Sequence, residues 1–74
     1  MSDAVSADVL LRVGRELRGM SQLDVAVLYG IGERTYRRYE AQGSPIKYVD
    51  LTGIVADVFH LQLDDLYQIA KEHQ

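Results

Sequence analysis

The tripeptide "GIG", Gly30 to Gly32, separates two short helical stretches and constrains this chain more than any other feature. Before it, "SQLDVAVLY" opens on Ser21, a helix cap. Asp24 stands three residues on, a weaker relative of the capping box. After it, "ERTYRRYEAQ" runs to Gly43. Two helices of about two turns joined by so tight a connection must cross steeply. Gly30 suits a residue that leaves a helix with positive φ. Ala26, four residues earlier, is small and lets the following helix approach, and Ile31 plugs the turn from below. Tyr36 and Tyr39 are three apart and form an inward stripe. Glu33, Arg34, Arg37 and Arg38 are left on the outward faces. The segment reads as a helix-turn-helix whose second member carries three arginines.

The rest of the chain supplies helices to pack against it. Ser6 opens a first helix to about Arg18, with Val9 or Leu10, Val13 and Leu17 at helical spacing and Gly19 as its stop. The second helix ends at Gly30, and the third spans Glu33 to about Gln42. Ser44 and Pro45 form a linker. A fourth helix is predicted over about Tyr48 to Phe59, with Val49, Thr52, Val55, Ala56 and Phe59 inward. "HLQL" is a short break. A fifth helix starts near Leu63, with Asp64 and Asp65 favourable to its dipole and Lys71 near its end. There is no period-2 alternation and no hairpin signal. The expectation is one all-α, compact five-helix domain over 1–74, with a core of about 6–70 and frayed ends at 1–5 and 71–74. At 74 residues its stability should be modest unless it oligomerises.

The net charge of −3 hides a polarised molecule. Residues 12–47 carry seven cations against four carboxylates, whereas residues 48–74 carry only Lys71 against five. The local field governs an approaching phosphate more than the total does. The sequence contains no cysteine, which removes disulfides and thiolate metal sites. "MSDAVSAD" lacks the features of a secretory signal. "VAVLY", the longest apolar run, is too short to cross a bilayer. A cytoplasmic protein is expected. "GIGERT" follows a helix and lacks the third glycine of a dinucleotide fingerprint. His60 and His73 lack zinc-site spacing, and His60 reads as a helix-terminal residue. Asp64 and Asp65 are adjacent and splay apart, and no serine has a credible histidine partner. No enzyme activity, cofactor or metal is expected.

"GMSQLDVAVLYGIGERTYRRYE" resembles the helix-turn-helix of the XRE family, which includes phage Cro proteins and phage repressors. The likeness runs through Ser21-Gln22, Val25-Ala26, Gly30-Ile31, Thr35 and Glu40. "LQLDDLY" resembles the start of that family's fifth helix, and together the likeness covers roughly residues 9–67. It implies a lambda-repressor-like fold whose third helix enters the DNA major groove. Gln22 matches a position that meets the DNA backbone and buttresses the recognition helix. Glu33, Arg34, Arg37 and Arg38 match the outward positions that read sequence. Arginine pairs bidentately with guanine, and glutamate accepts from cytosine. Thr35 suits a phosphate contact. Arg15 and Glu40 match a pair that forms an internal salt bridge, so Arg15 is expected to be structural. Glu33 and Arg37 also have the spacing of an i,i+4 pair.

The departures are informative. Leu23, Val27 and Leu28 fall where the family carries polar side chains. Either they look outward as a protein interface, or the second helix is rotated or more deeply buried. Gly14 and Gly53 fall where bulky residues are usual. One account is that they make room for Tyr29, Tyr36, Tyr39 or Tyr48. Gly32 replaces the usual Ser or Thr cap. A single lysine in "GSPIK" gives a monomer little phosphate affinity, so a homodimer is expected. Two functions stay open. One is a DNA-binding transcriptional regulator, a small phage or mobile-element repressor on a palindromic operator. The other is a protein-interaction module, an antirepressor that binds another repressor or an antitoxin that masks a toxin, working through the apolar second helix.

Overall fold

A computed structural model describes residues 5–72. Its elements are α1 (Ala7–Leu17), α2 (Gln22–Tyr29), α3 (Glu33–Glu40), α4 (Tyr48–Gly53, continued by a π-helical turn over Ile54–Val58) and α5 (Leu63–Glu72). Among the described residues there is no strand, and the five helices close around one core. None of these helices is long and apolar enough to cross a membrane.

The helix ends follow local chemistry. At α2, Ser21 Oγ accepts from the Asp24 amide at 3.0 Å, and the Asp24 carboxylate accepts from the Ser21 amide at 2.9 Å. Both halves of a capping box are therefore made, more completely than Asp in place of Glu led one to expect. Gly30 ends the helix at φ 84°, and the amides of Gly30 and Ile31 both donate to the Ala26 carbonyl at 2.9 Å. A side chain at that φ would be strained, which is why glycine stands there. Gly32 caps α3 without a side-chain bond, and Ser6 occupies the cap position of α1 without making one. The third helix closes at Glu40, two residues short of expectation, because Ala41 is already extended at ψ 140°.

The core is built from Val5, Leu10, Leu11, Val25, Ala26, Tyr36, Leu51, Ile54, Val55, Val58, Phe59, Leu66 and Ala70. It reaches Val5, just outside the expected core, and α5 stays helical through Lys71 and Glu72. The remaining terminal residues, His73 among them, lie outside the described part. Two inward faces differ from the sequence reading. In α1 the buried stripe is Leu10, Leu11 and Gly14, whereas Leu17 is 46% exposed. Gly14 accepts the edge of Phe59 there, so the stripe is centred one position later than the valines imply.

The larger correction is in α4. Val49 is 68% exposed and Ala56 is also exposed, while Leu51, Ile54 and Val58 are buried beside Val55 and Phe59. Leu51, Ile54, Val55 and Val58 stand at i, i+3, i+4 and i+7, one stripe of an ordinary helix, and Val49 and Ala56 fall on its far side, so the inward face has a different phase from the expected one. A π turn closes the segment, where Phe59 N–H donates to the Ile54 carbonyl at 3.0 Å, five residues back instead of four. The helix then stops at His60, which adopts φ 55°. That conformation is tolerated by His more than by most non-glycine residues.

The glycines behave as space for rings. A Cβ on Gly53 would stand 2.9 Å from the Tyr29 hydroxyl, so Gly53 does admit a tyrosine. Gly14 admits Phe59 rather than a tyrosine, its Cβ position lying 2.6 Å from Phe59 Cδ2. Tyr48 takes no part in the core and is 72% exposed.

Candidate nucleic-acid interface

Helix α3 is held from behind by one carboxylate. Glu40, at its last turn, receives Arg15 Nε at 2.7 Å on Oε2 and Arg15 Nη2 at 3.1 Å on Oε1. Gln22 Nε2, from the first turn of α2, donates to the same Oε1 at 3.2 Å. Arg15 Nη1 donates to the Met20 carbonyl at 3.0 Å, fixing the segment that enters α2. Three helices and one loop thus converge on Glu40. The side chains of Arg15 and Glu40 are only 16% and 5% exposed. Their two-point geometry is the strong form of a carboxylate–guanidinium bond. The Arg15 guanidinium is pushed up from its ordinary pKa, chiefly by its hydrogen bond to Glu40. The expected Arg15–Glu40 bridge is present, and Gln22 does buttress α3.

The same inner side of α3 is also pinned by tyrosines. Tyr36 is fully buried, and Tyr39 meets it edge to face with ring centroids 6.4 Å apart. Burial pushes the Tyr36 phenol far above its ordinary pKa, and its hydroxyl lies beside Glu40 without a well-formed hydrogen bond. Asp50, in the first turn of α4, accepts from Tyr29 at 3.0 Å and from Tyr39 at 3.4 Å. Both phenols are raised in pKa, mainly by burial and then by Asp50. One carboxylate therefore ties α4 to both members of the helix-turn-helix. Nothing in the sequence pattern signals this role of Asp50.

With its back fixed in this way, α3 presents a defined outer face. Arg34, Arg37 and Arg38 are all exposed. Glu33 and Thr35 are half-buried at its start, and Glu33 holds Arg37 at 3.1 Å. Glu33, Arg34 and Arg37 line a shallow hollow. This exposed ion pair contributes only a few tenths of a kcal/mol to the helix, about what an i,i+4 pair gives. The face offers planar guanidinium donor forks and one carboxylate acceptor, with no apolar side chain among these outward residues.

Leu23, Val27 and Leu28 are 50%, 68% and 63% exposed. These three side chains look outward, so α2 is not more deeply buried than the sequence pattern of its inner face requires. Arg18 is a residue the sequence reading did not single out. Its Nε donates to the Phe59 carbonyl at 2.6 Å, closing the C-terminal end of α4 with a cation. Compared with known protein families, curated proteins and solved structures, the chain shows no significant match to any.

Proposed function

We propose that this chain is a sequence-specific DNA-binding transcriptional regulator, with α3 entering the major groove and two copies serving a palindromic operator. The observation that carries the reading is the outer face of α3. Arg34, Arg37 and Arg38 are exposed there, while Glu40 and Tyr36 fix the helix from behind. Arg34 and Arg38 are the guanine readers, Glu33 and Arg37 act as a paired donor and acceptor, and Gln22 and Thr35 meet phosphates. Such an assignment fits a cytoplasmic repressor of the Cro type, which the resemblance of "SQLDVAVLYGIGERTYRRYE" also implies. It requires neither catalysis nor a cofactor.

The test is fluorescence anisotropy with duplexes tiled across the upstream region of the chain's own gene and with a random-sequence pool enriched for binding. Site-specific binding is expected, weakening linearly on a log–log plot as salt rises. Alanine at a guanine-reading arginine should cost about 1–3 kcal/mol and relax preference at one base. Absence of binding to both the tiles and the pool at low salt would overturn the reading. A second reading has its own observation, the exposure of Leu23, Val27 and Leu28. Under it the chain is an interaction module, an antirepressor or an antitoxin. Replacing Arg34, Arg37 and Arg38 by alanine separates the two, because it removes DNA binding but spares a complex made through α2.

A further inference from the structure

We infer that Asp50 is a positioning residue for the outer face of α3. By clasping Tyr29 and Tyr39 it fixes the roll of α3 about its own axis, and with it the direction in which Arg34 and Arg38 point. Asp50 Oδ1 accepts from the Tyr29 hydroxyl at 3.0 Å, and Oδ2 accepts from the Tyr39 hydroxyl at 3.4 Å. Tyr29 is the last residue of α2 and Tyr39 lies in the last turn of α3, so one carboxylate grips both helices that the Gly30–Gly32 turn joins. The longer Tyr39 bond is the yielding arm of the clasp and the Tyr29 bond the firm one. Asp50 itself stands on a fixed base: its amide donates to the Lys47 carbonyl at 3.0 Å, and the adjoining Leu51 is buried.

Fixing a roll takes two bonded points. Burial keeps Tyr36 against the core, but apolar contact is non-directional, and the Tyr36 hydroxyl makes no well-formed bond. Glu40 supplies one directional anchor, to Arg15 of α1 and Gln22 of α2. Tyr39 precedes Glu40 in the chain and so stands about 100° away around a helix of 3.6 residues per turn. A helix bonded at one azimuth still turns about that point, and a second azimuth stops it. A roll of about 20° carries a side chain at the helix rim, about 5–6 Å from the axis, through roughly 2 Å. The useful range of a hydrogen bond is only about 0.5 Å wide, so such a roll breaks a base-edge contact. Arg34 and Arg38 are four residues apart on the exposed side, so a roll displaces both together. The effect on base preference rests on the DNA-binding reading, whereas the roll is measured without DNA.

The test compares Asp50→Ala with Asp50→Asn. Both remove the charge, but only alanine removes the bonds, since an asparagine amide accepts from one phenol and donates to the other. Their difference reads the clasp rather than the loss of a negative charge near DNA. The first readout is the set of residual dipolar couplings of the α3 amides, whose periodic phase reports the roll of the helix against α1. Asp50→Ala should shift that phase, and Asp50→Asn should restore it. The second is the ratio of affinities for a duplex selected from a random pool and for an unrelated duplex, by fluorescence anisotropy. Asp50→Ala should lower the ratio roughly tenfold, the scale of one lost base contact, and Asp50→Asn should keep it. Ala70→Gly, which loosens a buried position of α5, is the control for stability: it should lower the melting temperature and leave phase and ratio unchanged. If Asp50→Ala does not fold, the double change Tyr29→Phe and Tyr39→Phe removes the same two bonds with both rings in place. An unshifted phase overturns the inference whatever the DNA measurement gives. A shifted phase with an unchanged ratio, or a ratio lowered as far by Ala70→Gly, overturns it as well. A wild type that binds no duplex overturns the DNA-binding reading and the effect on base preference with it, while the couplings separately show whether the clasp sets the roll.

Discussion

A methyl group on Gly14 would stand 2.6 Å from Phe59 Cδ2 and 3.2 Å from Leu66 Cδ2, and both neighbours are fully buried. Neither can yield without disturbing the core. Overpacking of this kind costs about 1–3 kcal/mol, more than the roughly 1 kcal/mol that alanine gains over glycine in a helix. Gly14→Ala should therefore lower stability in a urea melt. At Gly53 the nearest atoms belong to the hydroxyl end of Tyr29, a half-exposed ring free to shift toward solvent. Gly53→Ala should be within about 1 kcal/mol of wild type, the helix gain offsetting the displaced phenol. Tyr36 makes a different case. Its hydroxyl is buried and lacks a well-formed bond, so Tyr36→Phe should leave neutral-pH stability unchanged or raised. Because burial raises its pKa in the fold, the wild type should lose stability as pH climbs above the free tyrosine value of about 10. Tyr36→Phe should flatten that alkaline limb, and a loss of stability at pH 7 would mean that Glu40 uses the hydroxyl.

For the individual elements, the ends were more legible than the faces. Gly19, Ser21, Gly30, Gly32 and Gly43 each bracket a helix in the sequence, and the helices end beside the first four, whereas α3 already closes at Glu40, ahead of Gly43. Capping is a local matter, decided within four residues, so sequence reveals it. The inward side of α4 follows Leu51, Ile54, Val55 and Val58, whose helical spacing competes in the sequence with a second phase through Val49, Thr52 and Ala56, while the i−5 hydrogen bond carries no composition signal. The outer face of α3 was readable because Tyr36 announces its inner one. The clasp around Glu40 was legible only through resemblance, since Arg15 is 25 residues away in the chain. Asp50 and Arg18 act on groups from other helices and carried no signal at all. The capping box of α2 allows a test at this scale. Asp24 has a lowered pKa, owing first to its bond from the Ser21 amide. Its contribution is thus complete above the ordinary carboxylate value and lost as pH falls through the lower, folded one. Asp24→Asn should melt earlier than wild type at pH 7, and the difference should vanish in strong acid. A gap that persists below pH 2 would mean that hydrogen bonding without charge explains the cap.

Taken as a whole, the molecule separates the residues that hold it together from those that face outward. The thirteen buried core side chains are all hydrophobic, and the ion pair of greatest structural consequence, Arg15–Glu40, lies behind α3 rather than on it. Arg34, Arg37 and Arg38 are exposed, and among the described residues their one ion pair is the exposed Arg37–Glu33 contact. Changing all three to alanine should keep thermal stability within about 1 kcal/mol of wild type, as exposed substitutions do. Circular dichroism on that variant checks this directly. A large loss would mean that the arginines serve the fold, and it would remove the triple variant as a clean probe of DNA binding. Separation of this kind also explains how a net-acidic chain can present a basic face, since Asp57, Asp64 and Asp65 sit on α4 and α5 rather than on α3.

Arg18 joins the last turn of α1 to the carbonyl of Phe59, a residue 41 positions later, and Gly14 rests on Phe59 and Leu66. That arrangement has a consequence for the chain while it is being made. At about 5–20 residues per second, synthesis runs for several seconds before the chain has reached Leu66. During that time the helix-turn-helix segment exists without the partners that shut its core. A nascent chain halted after α3 should be protease-sensitive, and the arginine face should acquire a fixed shape only when α5 leaves the ribosome. The surface offered to a ligand thus takes its fixed shape only after residues well downstream of it have been made.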